Sequence, residues 1–208
     1  MANDQEKFWQ GWDGYEYQAR NAGSLVGSVL SNITLFARAL PPDINTVIEF
    51  GAGVGNNLRA INTLLPAAQL AAVEINPGAA KALLKITPWV YEQSMLDWTN
   101  PEPALACKRW DLAFTKGVLI HIAPADLPRA YVALYNASGR YVLLCEYFCP
   151  TPRMITYRGE DNRLWARDFA GEMLEAYTDL WLVGYGFVSR RDPNPQDDLT
   201  WWLMEKQQ

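Results

Sequence analysis

Residues 46–56 read Thr-Val-Ile-Glu-Phe-Gly-Ala-Gly-Val-Gly-Asn, and no other stretch constrains the fold as strongly. Its first half is a β-branched and aromatic run, the composition of a buried strand. Gly51, Gly53 and Gly55 then alternate with small residues, and residues 56–65 carry a helical pattern closed by Pro66. A strand that turns through glycines directly into a helix belongs to a chain in which strands and helices alternate. Glycine admits positive φ and lets the backbone approach a ligand with no Cβ in the way. The first amides of the helix beyond can hold an electron-rich group.

The rest of the chain continues the alternation. Leu25, Val29, Ile33, Phe36 and Leu40 fall at three- and four-residue steps, a helical stripe stopped by Pro41 and Pro42. Residues 69–74 form a second apolar strand, and Pro77 opens a helix over 78–86 at a position where proline is tolerated. Runs at 110–115, 141–145, 181–189 and 199–204 predict further strands, with helices over 126–136 and 168–177. This order predicts an α/β fold with a parallel sheet. Residues 190–198 hold no helix, so the last two strands predict an antiparallel hairpin.

Two familiar glycine motifs do not fit. A dinucleotide site wants G-x-G-x-x-G, but the third glycine comes one residue early and position 56 is Asn. A phosphate loop wants Gly-Lys-Ser/Thr, which is absent. An acid followed by x-G-x-G-x-G, as in residues 49–55, resembles the first motif of the class I S-adenosylmethionine (SAM)-dependent methyltransferases. Glu74, nineteen residues after Gly55, stands where an acid accepts both ribose hydroxyls.

That resemblance implies a Rossmann-like domain: a seven-stranded, mostly parallel sheet with an antiparallel C-terminal hairpin and helices on both faces. It implies SAM as cofactor, with Glu49, Gly51, Gly53, Gly55 and Asn56 around the methionine part and Glu74 with Ile75 at the ribose. Ser94-Met95-Leu96-Asp97-Trp98 resembles the segment whose acid faces the adenine amine, with the next aromatic flanking the base. Residues 111–119 resemble the fourth strand and the turn beneath the methyl donor, which brings in Lys116 and Gly117.

A narrower resemblance covers nearly the whole chain. FWQGWDGYEYQARN (8–21), TKGVLIHI (115–122), CPTPRMITYRG (149–159), RDFAGEML (167–174) and YGFVSRRDPNPQDDLTW (185–201) resemble the pseudaminic acid biosynthesis-associated methylases. The family implies methyl transfer to O or N of a nonulosonic-acid-type sugar or its precursor. Two other readings stay open: methyl transfer to an amino acid or peptide-derived product, or no catalysis, the chain serving as a SAM-binding partner in glycan assembly.

Several side chains are candidates for the acceptor side. His121 follows the fourth strand, and imidazole titrates near working pH, so it suits a base that takes the acceptor's proton. The competing reading is a buried histidine bonded to backbone. Residues 1–23 suit a lid in which Trp9, Trp12, Tyr15 and Tyr17 shield the donor and Arg20 pairs with its carboxylate, or else a helix packed on the core. Residues 148–166 suit a substrate cap, where Arg153, Tyr157 and Arg158 meet an acidic group. Arg163 and Arg167 lie nearby, and Glu160, Asp161 and Asp168 are placed to neutralise all four arginines. Glu146, Tyr147 and Asp197, at strand ends, complete the substrate candidates.

Composition narrows the partners. At 208 residues the chain is expected to be one domain. A net charge of −5 with no Lys/Arg block excludes a nucleic-acid groove and a membrane-seeking basic face, which leaves a small-molecule substrate. A single histidine and three cysteines without zinc spacing predict no metal. No apolar run approaches the ~20 residues of a membrane span, and the N-terminal residues lack a secretory pattern, so a cytoplasmic setting is expected. The chain has 9 Trp, 10 Tyr and 7 Phe, which core packing or a pocket for a flat ligand would use.

Overall fold

The strands begin where the apolar runs begin. In the structure, a computed structural model that describes residues 3–11, 25–98 and 109–207, the runs become β1 (Thr46–Phe50), β2 (Gln69–Glu74), β4 (Trp110–Lys116), β5 (Ser138–Glu146), β8 (Leu180–Val188) and β9 (Leu199–Lys206). A short β3 (Val90–Glu92) completes a seven-stranded sheet in the order β3-β2-β1-β4-β5-β9-β8. The first five strands run parallel, while β9 is antiparallel to β5 and β8 antiparallel to β9.

Alternation along each central strand feeds two cores. Val47, Leu112, Phe114 and Leu143 face α2 (Leu25–Ala39) and α3 (Asn56–Leu64). Ile48, Phe50, Ala113 and Leu144 face α5 (Leu127–Ala137) and α6 (Phe169–Ala176). Burial on both faces explains why β1 and β2 read as nearly continuous apolar runs. α4 (Pro77–Leu83) starts with Asn76 as its cap and Pro77 in the first turn.

Two elements lie outside this frame. α1 (Asp4–Gln10) is closed by a capping box in which Asn3 and Glu6 bond each other's backbone N–H. β6 (Arg153–Tyr157) and β7 (Glu160–Ala166) form an antiparallel hairpin between β5 and α6, within the segment expected to be a cap. α1 rests on this hairpin: Gln5 Nε2 donates to the Asn162 carbonyl, Arg163 Nη1 donates to the Asp4 carbonyl at 3.2 Å, and the Arg163 guanidinium lies 4.8 Å from the Phe8 ring.

The sheet order reverses between β1 and β4, and both strands end on the same edge. A crevice forms there because the connections leave the sheet in opposite directions. Everything described below sits at that edge. Among the described residues no helix is long and apolar enough to cross a membrane.

Candidate functional site

β1 ends at Phe50 and the chain passes through Gly51, Gly53 and Gly55 at φ values of 72°, 55° and 83°. Two of these glycines do different work. A Cβ on Gly55 would lie 2.3 Å from Ile86 Cδ1 and 2.9 Å from Leu83 Cδ2, so Gly55 lets the loop pack against α4. A Cβ on Gly53 would meet nothing within 4 Å, because that position opens into a cavity.

The cavity lies at the carboxyl ends of β1, β2 and β4. Its walls include Gly51 and Gly53, Glu74 and Ile75, Met95 and Leu96, and Lys116 and Gly117. Glu74 is buried, and both its oxygens are engaged: Oε2 accepts the Gly53 N–H at 2.7 Å and Oε1 the Asn76 N–H at 2.8 Å. Burial raises its pKa, and these N–H donors oppose the rise. Each oxygen keeps a lone pair for a further donor.

Glu49 sits beneath the loop with no exposed surface. Its Oε1 accepts from Asn57 Nδ2 at 2.6 Å, whereas Oε2 has no hydrogen-bond partner. Desolvation raises its pKa to about 8, against the pull of Asn57 and the Lys116 charge. Lys116 is shifted the other way: burial lowers its pKa, opposed by Cys145, Glu49, Asp197 and Glu146.

α1 roofs the cavity. Asn3, Gln5, Glu6 and Trp9 line it from above, Asn76 Nδ2 donates to the Trp9 carbonyl at 3.1 Å, and Asn3 Nδ2 donates to Asp126 at 2.9 Å. The Trp9 ring stands 4.6 Å from His121. His121 Nδ1 lies 2.8 Å from the Arg163 carbonyl, which can only accept, so Nδ1 carries the proton. Burial lowers the His121 pKa to about 4, partly offset by that bond. The imidazole is therefore neutral at working pH, with Nε2 as an acceptor.

A second cavity opens across the glycine loop and shares Gly51, Gly53 and Lys116 with the first. Its outer wall comes from the start of α2 and from the loop before β9, including Ser31, Gln196 and Asp197.

Comparison with known proteins places this architecture. A SAM-dependent methyltransferase of Leishmania major superposes with a TM-score of 0.69 at 16% identity, over 98% of this chain and 87% of its own. This is the class I methyltransferase fold. The magnesium protoporphyrin IX methyltransferase of Synechocystis, solved with SAM bound, gives a TM-score of 0.64 at 12% identity over 99% of both chains. The 1,6-didemethyltoxoflavin-N1-methyltransferase of Burkholderia thailandensis gives 0.61 at 16% identity over 94% of this chain and 83% of its own. No family model and no curated protein sequence matches the chain.

On that methyltransferase fold, the expected cofactor residues separate into groups. Gly51, Gly53, Glu74, Ile75, Met95, Leu96, Lys116 and Gly117 converge on the first cavity, and His121 joins them. Gly55 and Glu49 support the loop from behind. Asn56 faces the second cavity. Asp97 does not reach the crevice: its carboxylate is 68% exposed and pairs with Arg129 at 3.3 Å. It closes a 3-10 turn whose inward positions are taken by Met95 and Leu96. Trp98, expected beside a base, is buried edge-on against Phe50 and Tyr91 in the core. Trp12, Tyr15, Tyr17 and Arg20 lie outside the described residues.

The substrate candidates scatter further. Asp197 lines the second cavity and accepts the Tyr147 hydroxyl at 2.9 Å. Glu146 reaches neither cavity. It is fully buried and accepts the N–H groups of Val118 and Ile120, capping the turn that carries His121; burial raises its pKa to about 7. Tyr157 packs 5.1 Å from His121 beneath the roof. Arg153 and Arg158 are exposed on the hairpin and line neither cavity. Arg163 and Arg167 are held by Glu160 and Glu172.

Asn76 is a wall residue that motif reading did not assign to the cofactor, while Trp9, one of the aromatics expected in the lid, lines the same cavity. An Asn-Pro pair after a strand is an N-cap signal, and Asn3-x-x-Glu6 is a capping-box signal, so both segments were detectable.

Proposed function

We propose that the chain is a SAM-dependent methyltransferase that acts on O or N of a small metabolite. The carrying observation is the first cavity, where the open face of Gly53 and the buried Glu74 carboxylate meet at the carboxyl edge of β1 and β2. The residues present fit the cofactor. Glu74 retains lone pairs for ribose hydroxyls, and Met95 and Leu96 offer an apolar slot for adenine. Gly53 leaves room for the methionine chain. When bound, SAM supplies a methyl group on a positively charged sulfur.

The chain's own part is positioning and exclusion of water. α1 covers the cavity through Trp9, and the β6–β7 hairpin supports α1 from behind. Holding an acceptor in line with a methyl group, away from water, accounts for a large share of the barrier in such a transfer.

For the acceptor, the reading is a nonulosonic-acid-type sugar or its precursor, supported by the segment resemblances over residues 8–21, 115–122, 149–159, 167–174 and 185–201. The test uses SAM with a deuterated methyl, a polar metabolite extract and nonulosonic-acid precursors, followed by mass spectrometry. Label on a sugar or sugar nucleotide is the expected result. Label on an amino acid or peptide-derived compound keeps the enzyme class and removes the sugar. A donor that binds without turnover removes catalysis and leaves a SAM-binding partner. If S-adenosylhomocysteine (SAH) does not bind by calorimetry, the cofactor assignment fails.

A further inference from the structure

Lys116 belongs to both cavities. It ends β4 between them, and within the described residues its ammonium donates no hydrogen bond and makes no ion pair. Lys116 is half-buried, so a ligand in either cavity can complete its hydrogen bonding. The groups that act on it come from three sides: Glu49 from β1, Cys145 and Glu146 from β5, and Asp197 from the loop before β9.

The second cavity has a definite chemistry. Hydroxyls and carboxamides make up a large part of its described wall, through Ser31, Asn32, Asn57 and Gln196, and Gln196 Oε1 is buried without a hydrogen-bond partner. Among the described residues no aromatic ring lines it. Described aromatics go elsewhere: Trp98, Trp110, Trp201 and Trp202 into the cores, Trp9 into the roof, Tyr185 and Phe187 onto the exposed edge strand β8. A flat ligand would find no described stacking partner, whereas a ligand rich in O–H or N–H donors would meet acceptors.

We infer that the second cavity is the acceptor site for a polar, hydroxyl-rich molecule, and that Lys116, where the cavities join, is the base that takes the acceptor's proton. This rests on the reading of the first cavity as the SAM site. The Lys116 Nζ lone pair removes the hydroxyl proton as that oxygen bonds to the methyl carbon. The carbon–sulfur bond breaks with its electron pair going to sulfur, which gives a thioether and a methyl ether. The proton on Nζ then passes to solvent when the product leaves. Burial lowers the Lys116 pKa, the direction this role requires. The inference moves proton removal away from His121, whose Nδ1 is committed to Arg163 and whose ring is flanked by Trp9 and Tyr157.

The test uses the full chain with Lys116→Met and Lys116→Arg. SAH affinity by calorimetry is expected to stay within about threefold of the unaltered chain in both variants; a loss parallel to activity would make Lys116 a cofactor residue and overturn the inference. In protein labelled with 13C at lysine Cε, the Lys116 signal, assigned by its disappearance in Lys116→Arg, is expected to titrate below the ordinary lysine value. Titration at the ordinary value would overturn the base. With deuterated-methyl SAM and the polar extract, label is expected on a hydroxylated, non-aromatic compound, and both variants should lose roughly a hundredfold or more. Restored transfer in Lys116→Arg would mean charge pairing instead of proton removal, and label on a planar aromatic would overturn the acceptor class. Failure of the unaltered chain to bind SAH would strike the cofactor reading itself, independently of the lysine titration.

Discussion

Glu74 Oε2 accepts the Gly53 N–H at 2.7 Å, joining the loop after β1 to the end of β2. The same carboxylate accepts the Asn76 N–H, and Asn76 in turn caps α4 and donates to the Trp9 carbonyl in the roof. One buried acid therefore fixes floor, side wall and lid. The position that a sequence motif assigns to ribose recognition also holds the cavity in shape.

Glu74→Ala should consequently lose both binding and stability. Hydrogen bonds to a charged group are worth roughly 1.5–3 kcal/mol, so SAH affinity should fall about ten- to a hundredfold. Thermal unfolding should shift down as the Gly53 and Asn76 N–H groups lose their acceptor. An unchanged dissociation constant for SAH would sink the ribose assignment.

The two glycines should separate fold from function. Gly55→Ala places a Cβ against Ile86 and Leu83 at φ 83° and should lower the unfolding temperature clearly. Gly53→Ala pays only the left-handed backbone cost, about 1–2 kcal/mol, yet fills space at the cavity and should abolish measurable SAH binding. Denaturation and calorimetry on both variants would refute this if the order were reversed.

Trp9→Ala should open the roof with little cost to the sheet, because α1 lies outside both cores. Stopped-flow measurement should show SAH leaving roughly ten times faster or more, since the ring's packing on His121 and Tyr157 is lost. An unaltered release rate would mean that α1 does not gate the site.

The strands of the central sheet were legible because burial on both faces demands apolar runs, as in Gln69–Glu74 and Ser138–Glu146. β3 was not, having three residues, none of them buried. The β6–β7 hairpin was missed for a related reason: β6 has no buried residue and β7 is buried only at its end, so neither shows a clean alternation. The glycine loop and Glu74 were legible because their chemistry depends on residue type and spacing. Asp97 and Trp98 were not, because spacing along a short turn does not say which side faces a core and which a crevice. Glu146 illustrates the same limit, since a carboxylate at a strand end serves a ligand or a neighbouring turn equally well in sequence.

Glu49 gives the chain an alkaline weakness. Its folded pKa of about 8 lies above the ordinary 4.5, so the folded state holds a proton that the unfolded state has lost. The stability from this group is complete below pH 4.5 and disappears as pH rises through about 8. Glu146, raised to about 7, acts in the same direction. Glu49→Gln keeps an acceptor for Asn57 and has no proton to lose, so urea unfolding should show a stability gain over the unaltered chain at pH 9, on the order of a few kcal/mol, that shrinks by pH 6. Parallel pH profiles for the two proteins would show that Glu49 is ionised throughout.

His121 provides the opposite sign and the cleanest observation, because it is the single histidine of the chain. Its folded pKa of about 4 lies below the ordinary 6.5, so the unfolded chain takes up the proton first as pH falls. The stability from a neutral, buried imidazole is complete above pH 6.5 and is lost as pH drops through about 4. Imidazole resonances in a 15N-labelled sample contain this one ring, so no assignment is needed. They should show the neutral form with Nδ1 protonated, held by the Arg163 carbonyl, and no titration between about pH 5.5 and 8. SAH should leave the tautomer unchanged, since the Arg163 bond belongs to the wall and not to the ligand. A midpoint near 6.5 would place the ring in solvent, detach it from Trp9 and Tyr157, and return His121 to contention as the base.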